Sequence, residues 1–561
     1  MMKKDSLIKG TIILAAAALV ARFLGIFQRV PLDYMLTEEG GTYFGTANTI
    51  YLLLLTVATA GIPSTVSKMI SERYAQGKVS EAKQIYRAAL LFGIMAGILM
   101  STLLFLLAPF IATNISANPG AALAIRAIAP ALLFFPIIAM MRGYFQGRQL
   151  MAAGGISQII EQILRVVVGV GLAFIVLSIG YSDEWIAAAA TFGSVLGGIG
   201  ALAIMIWYAA KLRRHDAQEA ETKRSRRASL DAAGIMSVRK PETSRKLRAS
   251  EIYRDIFKIS IPIVLTAITV NLFYAFDATL FMRLTSAFYT DDAAHSALNA
   301  LTIKAQSIAG IPPILAIALS TSIIPVISSA YAVNKLDEVR RQVSLVMRIV
   351  VYTGVPAALV LTVASQSITG LLFEPGGSGV VAALTAGTIF QITMMTSNSI
   401  LFGMSKPRLA MRHTLIGMAV KAAGSVALAP FLGVYGLIIA STAAFLLISM
   451  LNNAAVRREV NFEVLGKRWV PYLAVIAITA GAGWGLDAAG LYMLQGIWYK
   501  LACFLTAAVS GSVMGGLYLV LLVVLRVVTP TEAAAFPKPL RKVFGILLRL
   551  FGRERHAKKD A

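Results

Sequence analysis

The chain has 561 residues, of which 57% are hydrophobic and only 14% are charged, and its formal net charge is +24. Soluble domains carry about 25% charged residues, so this composition excludes a soluble enzyme and a disordered chain. A basic nucleic-acid-binding domain would carry its charge on a water-soluble fold, so no nucleic-acid partner is expected. With a mean hydropathy of +0.73, the chain is predicted to be an all-α polytopic membrane protein.

Fourteen segments are long and apolar enough to cross a bilayer, which takes roughly 20 residues. They lie near 6–30, 42–64, 86–112, 121–141, 152–178, 184–210, 255–283, 296–330, 342–371, 380–402, 409–429, 435–456, 469–487 and 498–528. The eighth segment carries Pro312, Pro313 and Pro325, and it is therefore predicted to be kinked.

The loops between these segments alternate in charge. Every second loop, beginning with PLDYMLTEEGG at 31–41, contains neither Lys nor Arg, whereas the intervening loops are basic. Cationic loops stay in the cytoplasm. The pattern predicts that the N- and C-termini are both cytoplasmic, which requires an even number of spans.

Two basic segments carry much of the excess charge, and the first of them divides the chain into two halves. Residues Lys211–Arg248 hold 12 Lys/Arg and 5 Asp/Glu, and Lys538–Asp560 hold 8 Lys/Arg and 2 Asp/Glu. Five parts are therefore predicted, and they are an N-terminal six-helix half at 1–210, a basic cytoplasmic linker at 211–250, a C-terminal six-helix half at 251–457, two additional transmembrane helices at 458–529 and a basic amphipathic cytoplasmic tail at 530–561.

The tail has the pattern of an interfacial helix. Val543, Phe544, Leu547, Leu548 and Phe551 recur at helical spacing between arginines. A helix of this kind lies in the plane of an anionic membrane surface. Anionic lipids of the inner leaflet are therefore expected partners.

The two halves resemble each other in sequence. GKVSEAKQ at 77–84 aligns with NKLDEVRR at 334–341, and RGYFQGRQLMAAGGISQIIEQILR at 142–165 aligns with NSILFGMSKPRLAMRHTLIGMAVK at 398–421. Six spans separate equivalent positions, so the halves are expected to be parallel repeats. Duplication of this kind is typical of transporters that bind a substrate between their halves and work by alternating access.

Two motifs, GIPSTVSKMISE at 61–72 and RGYFQGRQLMAAGGISQIIEQILRV at 142–166, resemble the polysaccharide-biosynthesis branch of the multidrug/oligosaccharidyl-lipid/polysaccharide (MOP) exporter superfamily, and ARFLG at 21–25 agrees. More narrowly, the chain is similar to the Gram-positive MurJ and SpoVB-like family. This resemblance implies a V-shaped MATE-like arrangement of the two six-helix repeats. It also implies flipping of an undecaprenyl-pyrophosphate-linked sugar, typically lipid II, from the inner to the outer leaflet of the bacterial cytoplasmic membrane. Cell-wall synthesis machinery is an expected partner in that setting.

Charged side chains inside spans cost at least ~2.5–3.5 kcal/mol each, so each one calls for a role. Cations outnumber carboxylates there by about two. An anionic head group would supply the missing charge, and the planar guanidinium suits a pyrophosphate because it donates two parallel hydrogen bonds. The predicted substrate-binding cations are Arg22, Arg165, Lys304 and Lys421.

Glu161 and Asp277 are the gating or ion-coupling candidates. Glu161 and Arg165 are four residues apart and can pair on one helix face, either to hold helices together or to gate or bind the substrate. Asp277 could pair with Lys304, or it could bind a proton or Na⁺. Lys421 aligns with Arg165 in the repeat, without a matching carboxylate.

The sequence allows two interpretations for the role of each of three arginines. Arg22 is either a cation inside a central cavity or a residue whose side chain reaches the outer interface. Arg142 and Arg148 frame a cytoplasmic span end, where they either contact the substrate or only set the orientation.

No metal or other cofactor is expected. The single cysteine, Cys503, and the four scattered histidines lack ligand spacing, and there is no P-loop. Coupling to H⁺, Na⁺ or the membrane potential is expected instead.

A transporter is favoured over an enzyme because the outer loops are short. An ion-coupled multidrug or metabolite antiporter of the MATE type is the alternative, followed by a membrane glycan polymerase. The sequence leaves open whether the sugar is lipid II or a teichoic-acid, capsular or spore-specific precursor. It also leaves open the coupling ion and the oligomeric state.

Overall fold

The computed structural model of the chain describes residues 7–59, 61–232, 248–314, 323–324, 326–328, 330–331, 333–530, 533 and 538–550. Within these ranges the regular structure is helical, without a β-strand. The predicted all-α architecture is thereby confirmed.

The helices of the first part of the chain are α1 (Leu7–Met35), α2 (Glu38–Thr59), α3 (Ile62–Ala75), α4 (Val79–Phe110), α5 (Ala121–Ile128), α6 (Ala131–Gly147), α7 (Met151–Ile179), α8 (Asp183–Ala232), α9 (Ala249–Ala267) and α10 (Thr269–Thr285). A π-helical turn, Ile111–Ile115, continues α4. A bend of 48° separates Ser260–Ala267 from Thr269–Thr285.

The helices of the second part are α11 (Asp291–Asn299), α12 (Gln306–Ala309), α13 (Leu336–Val363), α14 (Ser365–Leu372), α15 (Ser378–Gly403), α16 (Pro407–Leu432), α17 (Val434–Arg457), α18 (Trp469–Met493), α19 (Tyr499–Val524) and α20 (Lys538–Leu550). The π-helical segment Ala300–Ala305 joins α11 to α12.

Within the described residues, eleven helical segments are long and apolar enough to cross a membrane, and the bent pair α9–α10 makes up to twelve. The chain is a multi-pass membrane protein. The count of fourteen stays a prediction, because the segments near 6–30 and 296–330 are not among these spans. The first of these two is helical, as α1. The second is interrupted by a π-helical stretch and a turn after Ala309, and residues 315–322 lie outside the described part.

The chain divides into two compact units, which are residues 1–36 with 46–275, and residues 37–45 with 276–561. The helix α8 continues to Ala232, so the first half of the predicted linker at 211–250 is helical. The predicted five-part division of the chain stays a prediction.

In the first unit, glycines of α8 allow close packing against α7. A Cβ atom at Gly193 would lie 2.6 Å from the carbonyl oxygen of Arg165, and one at Gly197 would lie 2.7 Å from that of Glu161. Only a residue without a side chain fits at such distances. The two glycines therefore fix the stretch of α7 that carries both predicted charged residues.

A second glycine pair joins the two motifs that carried the family resemblance. Cβ atoms at Gly143 and Gly147 of α6 would lie 2.6 Å from the carbonyl oxygen of Pro63 and 2.7 Å from that of Ser67 on α3. The motif residues of α6 thus serve close helix packing, and they also fix the backbone next to Arg142.

In the second unit, the tail helix α20 packs on protein. Phe544 and Leu548 are 1% and 3% exposed and belong to a core that includes Tyr472 and Tyr518 of α18 and α19. Both side chains therefore face the bundle, and the contact of the tail with anionic lipid stays a prediction. Their i,i+4 spacing places them on one edge of the helix, and that edge docks on the bundle. Phe551 lies outside the described residues.

We expect Gly197→Ala to lower the free energy of unfolding by about 1–3 kcal/mol, because the added methyl group overlaps the Glu161 carbonyl. The matched control is Gly171→Ala on α7, where a Cβ atom meets nothing within 4 Å. It should be neutral or slightly stabilising. Thermal unfolding in detergent measures both, and equal stability of the two variants would contradict the packing argument.

Candidate functional site

In the first unit, Glu161 lies between two arginines. Arg142 Nη2 donates to Glu161 Oε2 at 2.9 Å, and Arg165 Nη2 donates to Glu161 Oε1 at 3.4 Å. Arg142 also donates to Ser157 Oγ at 2.9 Å. The predicted Glu161–Arg165 pair is thus present, but its carboxylate is shared with a third residue from another helix.

Aromatic side chains surround the second arginine. Arg165 Nη2 donates to the hydroxyl of Tyr51 at 2.7 Å. The guanidinium carbon lies 5.4 Å from the ring centre of Tyr51 and 5.8 Å from that of Phe135. These contacts hold the guanidinium plane in one orientation, which an arginine needs for bidentate binding.

The three charges leave this site cationic, because two guanidiniums share one carboxylate. The Nε atoms of Arg142 and Arg165 are buried and have no hydrogen-bond partner among the described residues. Side-chain exposure is 19% for Arg142 but about half that for Glu161 and Arg165, at 9% and 10%. An incoming anion would therefore meet Arg142 first.

The second unit holds a different ion pair. Lys421 Nζ donates to Asp277 Oδ1 and, at 2.9 Å, to the carbonyl oxygen of Leu437, and Ser441 Oγ donates to Asp277 Oδ2 at 3.4 Å. Asp277 and Lys421 are only 3% and 1% exposed. The inference that Lys421 lacks a carboxylate was therefore wrong, since Asp277 supplies one from a helix that is distant in sequence.

Lys304 does not pair with Asp277, whose carboxylate is taken by Lys421. Its ammonium group instead donates to the carbonyl oxygen of Glu374 at 3.0 Å. Lys304 is 6% exposed and lies in the π-helical segment Ala300–Ala305.

Arg148 makes a bidentate pair with Asp216, at 2.6 and 2.7 Å, and its guanidinium carbon lies 4.9 Å from the ring centre of Tyr74. Burial alone would lower its pKa, but the hydrogen bonds to Asp216 and Tyr144 outweigh burial and raise the pKa above the ordinary value. Arg148 therefore joins α8 to the C-terminal ends of α3 and α6, and its role toward a substrate stays a prediction.

Arg22 lies on α1, and its side chain is outside the described residues. Its role also stays a prediction.

Sequence reasoning missed two features of the site. The contact of Arg142 with Glu161 joins residues 19 positions apart on different helices, so no helical spacing indicates it. Tyr51 is fully buried on α2, and only its position in an apolar span could have suggested burial.

The second unit carries different residue types at the positions that correspond to Arg142, Ser157 and Glu161. Asn398 and His413 align with Arg142 and Ser157, and both contact Asn452, at 2.8 Å in each case. Gly417 aligns with Glu161. The second unit therefore keeps polar contacts at these positions, through Asn452. Of the three charged residues in the cluster of the first unit, Arg165 has a charged counterpart, which is Lys421.

Comparison with known proteins gives both a family and a fold. A family model described as polysaccharide biosynthesis protein matches residues 7–331, which is more than half of the chain. Lipid II flippase MurJ of Bacillus subtilis (strain 168) is 24% identical over 539 residues, covering 91% of this chain and 94% of that protein. Stage V sporulation protein B of the same organism is 25% identical over 540 residues, covering 96% and 98%.

Solved structures give the same picture. Lipid II flippase MurJ in an inward closed conformation matches with a TM-score of 0.61 at 13% identity, covering 90% of this chain and 98% of that chain. An inward-facing multidrug resistance MATE transporter of the MOP superfamily also matches with a TM-score of 0.61, at 11% identity, covering 80% and 98%. The predicted likeness to MurJ and SpoVB, and to the MOP fold, is confirmed.

We expect Asp277→Asn and Lys421→Met each to lower the free energy of unfolding by about 3–5 kcal/mol, because each leaves a buried charge without its partner. The double variant should lose less than the sum of the two. Thermal unfolding in detergent measures the free energy of unfolding of the wild type, the two single variants and the double variant.

The matched control is the exposed pair Lys68–Glu72, which is separated by 3.9 Å. Removal of either side chain there should change the free energy of unfolding by no more than about 1 kcal/mol. Additive losses for the Asp277 and Lys421 variants would contradict their coupling.

Proposed function

The chain belongs to the polysaccharide biosynthesis protein family, and from that membership we propose that it flips an undecaprenyl-pyrophosphate-linked sugar precursor. The favoured cargo is lipid II, moved from the inner to the outer leaflet of the bacterial cytoplasmic membrane by alternating access. We infer a transporter rather than an enzyme, since the similar proteins named as a flippase and a transporter match 91% and 80% of this chain.

The observation that carries the proposal is the excess positive charge around Glu161. Arg142 and Arg165 share one carboxylate, and each keeps an Nε donor without a partner among the described residues. An uncompensated cation in a low-dielectric span calls for a counter-charge. A pyrophosphate supplies that charge together with acceptors for the guanidinium donors.

In this mechanism, Glu161 takes the place of the substrate while the site is empty. It keeps the two guanidiniums close together despite their mutual repulsion. The pyrophosphate first contacts Arg142, the more exposed of the two, and then competes with Glu161 for Arg165. A cationic drug would meet repulsion at this site, so the charge disfavours a multidrug antiporter.

We propose that the membrane potential resets the cycle. One elementary charge crossing 100 mV corresponds to about 2.3 kcal/mol. An empty, net cationic site is drawn toward the negative cytoplasmic side, and binding of an anion removes that bias. Na⁺ binding at Asp277 is disfavoured because the ammonium of Lys421 already occupies that carboxylate.

We also propose that α20 contacts anionic lipid with the face that does not dock on the protein. Val543, Ile546 and Leu550 are 40%, 51% and 74% exposed and form one stripe at helical spacing. Lys542 and Arg549 are exposed beside it. Such a face inserts at the boundary between acyl chains and head groups.

We expect Arg165→Gln to lower flipping tenfold or more, since a hydrogen bond to a charged group contributes about 1.5–3 kcal/mol. The assay is the appearance of lipid II in the outer leaflet of a bacterium whose own lipid II flippase is depleted. The matched control is Arg126→Gln on α5, an exposed arginine over the ring of Phe105, which should leave flipping unchanged.

Membrane levels and thermal stability of each variant must match those of the wild type. Full flipping by Arg165→Gln would overturn the role of the cationic site. Failure of the wild-type chain to restore outer-leaflet lipid II would reject that cargo. A change in drug sensitivity instead would favour the antiporter.

A further inference from the structure

The short helix α14 is held at both ends by the two helices that follow the second repeat. It has eight residues, Ser365–Leu372, and starts directly after α13. Asp487 of α18 accepts from the hydroxyl and the backbone N–H of Ser367 in the first turn. Lys500 of α19 donates to the carbonyl oxygens of Leu371 at 3.3 Å and Phe373 at 2.6 Å.

These contacts match the electrostatics of a helix. The N-terminal N–H groups and C-terminal carbonyls of a helix lack partners within it, and they favour an anion at the first end and a cation at the second. A helix of eight residues is marginal without such support. Asp487 and Lys500 supply the favourable sign at each end.

The middle of α14 is fitted closely to α19. A Cβ atom at Gly370 would lie 2.5 Å from the hydroxyl oxygen of Tyr499 and 2.8 Å from Sγ of Cys503. Asp487 is 3% exposed and is the one charged residue of α18. A buried carboxylate in a span is costly, so apolar packing alone does not account for this arrangement.

The contacts at the C-terminal end of α14 extend to Lys304. Phe373 accepts from Lys500, and the next carbonyl, that of Glu374, accepts from Lys304 at 3.0 Å. Lys500 and Lys304, which belong to separate elements, therefore donate to consecutive carbonyl groups just after α14. A shift of α14 would move one of the groups that the Lys304 ammonium contacts, the carbonyl oxygen of Glu374.

We propose that Asp487 and Lys500 are positioning residues that fix Lys304 through α14. The two additional helices thus act on a predicted substrate-binding cation, and the part of this inference that concerns substrate rests on the proposed function.

Hydrogen–deuterium exchange on the detergent-solubilised full chain tests the structural link. Lys500→Met should speed exchange about tenfold both in 365–376 and in 299–306, because both segments lose an anchored neighbour. Lys500→Arg should restore protection. The control Lys467→Met, an exposed lysine just before α18, should change neither segment. Faster exchange in 365–376 alone would overturn the link to Lys304.

Binding of undecaprenyl pyrophosphate, followed by native mass spectrometry, tests the consequence for substrate. Lys304→Met and Lys500→Met should each weaken binding about five- to tenfold, and the double variant should be no weaker than Lys304→Met. Multiplied losses would show that Lys500 acts independently, which overturns the positioning role. If the wild-type chain does not bind the probe, the proposed function fails, while the exchange experiment still decides the structural link.

Discussion

A buried charge in a membrane span must find a partner, and the described structure is organised around that requirement. Glu161 lies between Arg142 and Arg165 because α7 and α6 are each fixed by close packing at glycines. Larger residues at Gly193 or Gly197 would push α8 away from the backbone that carries Glu161. The helix packing and the electrostatics of the site are therefore coupled, since a small displacement would separate charges that are largely buried.

The two repeats pair their buried charges differently. In the first unit, one carboxylate serves two guanidiniums and the cluster remains cationic. In the second, Lys421 has a carboxylate of its own, and Asn398 and His413 stand where the first unit has Arg142 and Ser157. The backbone pattern has been kept while the charges have changed. The excess of guanidinium groups over carboxylates around Glu161 therefore belongs to the cluster of the first unit.

Local sequence patterns predicted much of this structure, but they did not predict contacts between helices that are distant in sequence. Hydropathy located the eleven or twelve spans found among the described residues, and i,i+4 spacing indicated the Glu161–Arg165 pair. The partners of Asp277 and Arg142 were not predicted, because residues 144 and 19 positions apart meet only through tertiary packing. Asp487 carries no sequence signal, since a lone aspartate near the end of an apolar helix looks like a boundary residue until α14 is seen against it.

Whether a site carries lysine or arginine also affects its capacity to bind a ligand. Lys421 is 1% exposed, and its ammonium already donates to Asp277 and to the carbonyl of Leu437, so a ligand would have to displace both acceptors. A guanidinium has five N–H donors, and Arg142 and Arg165 use only their Nη2 atoms in the contacts described here. Their remaining donors lie beside a single shared carboxylate. Among the predicted cations with described side chains, the capacity to bind a pyrophosphate is therefore greatest at the arginines, and Lys421 is better suited to holding its own unit together.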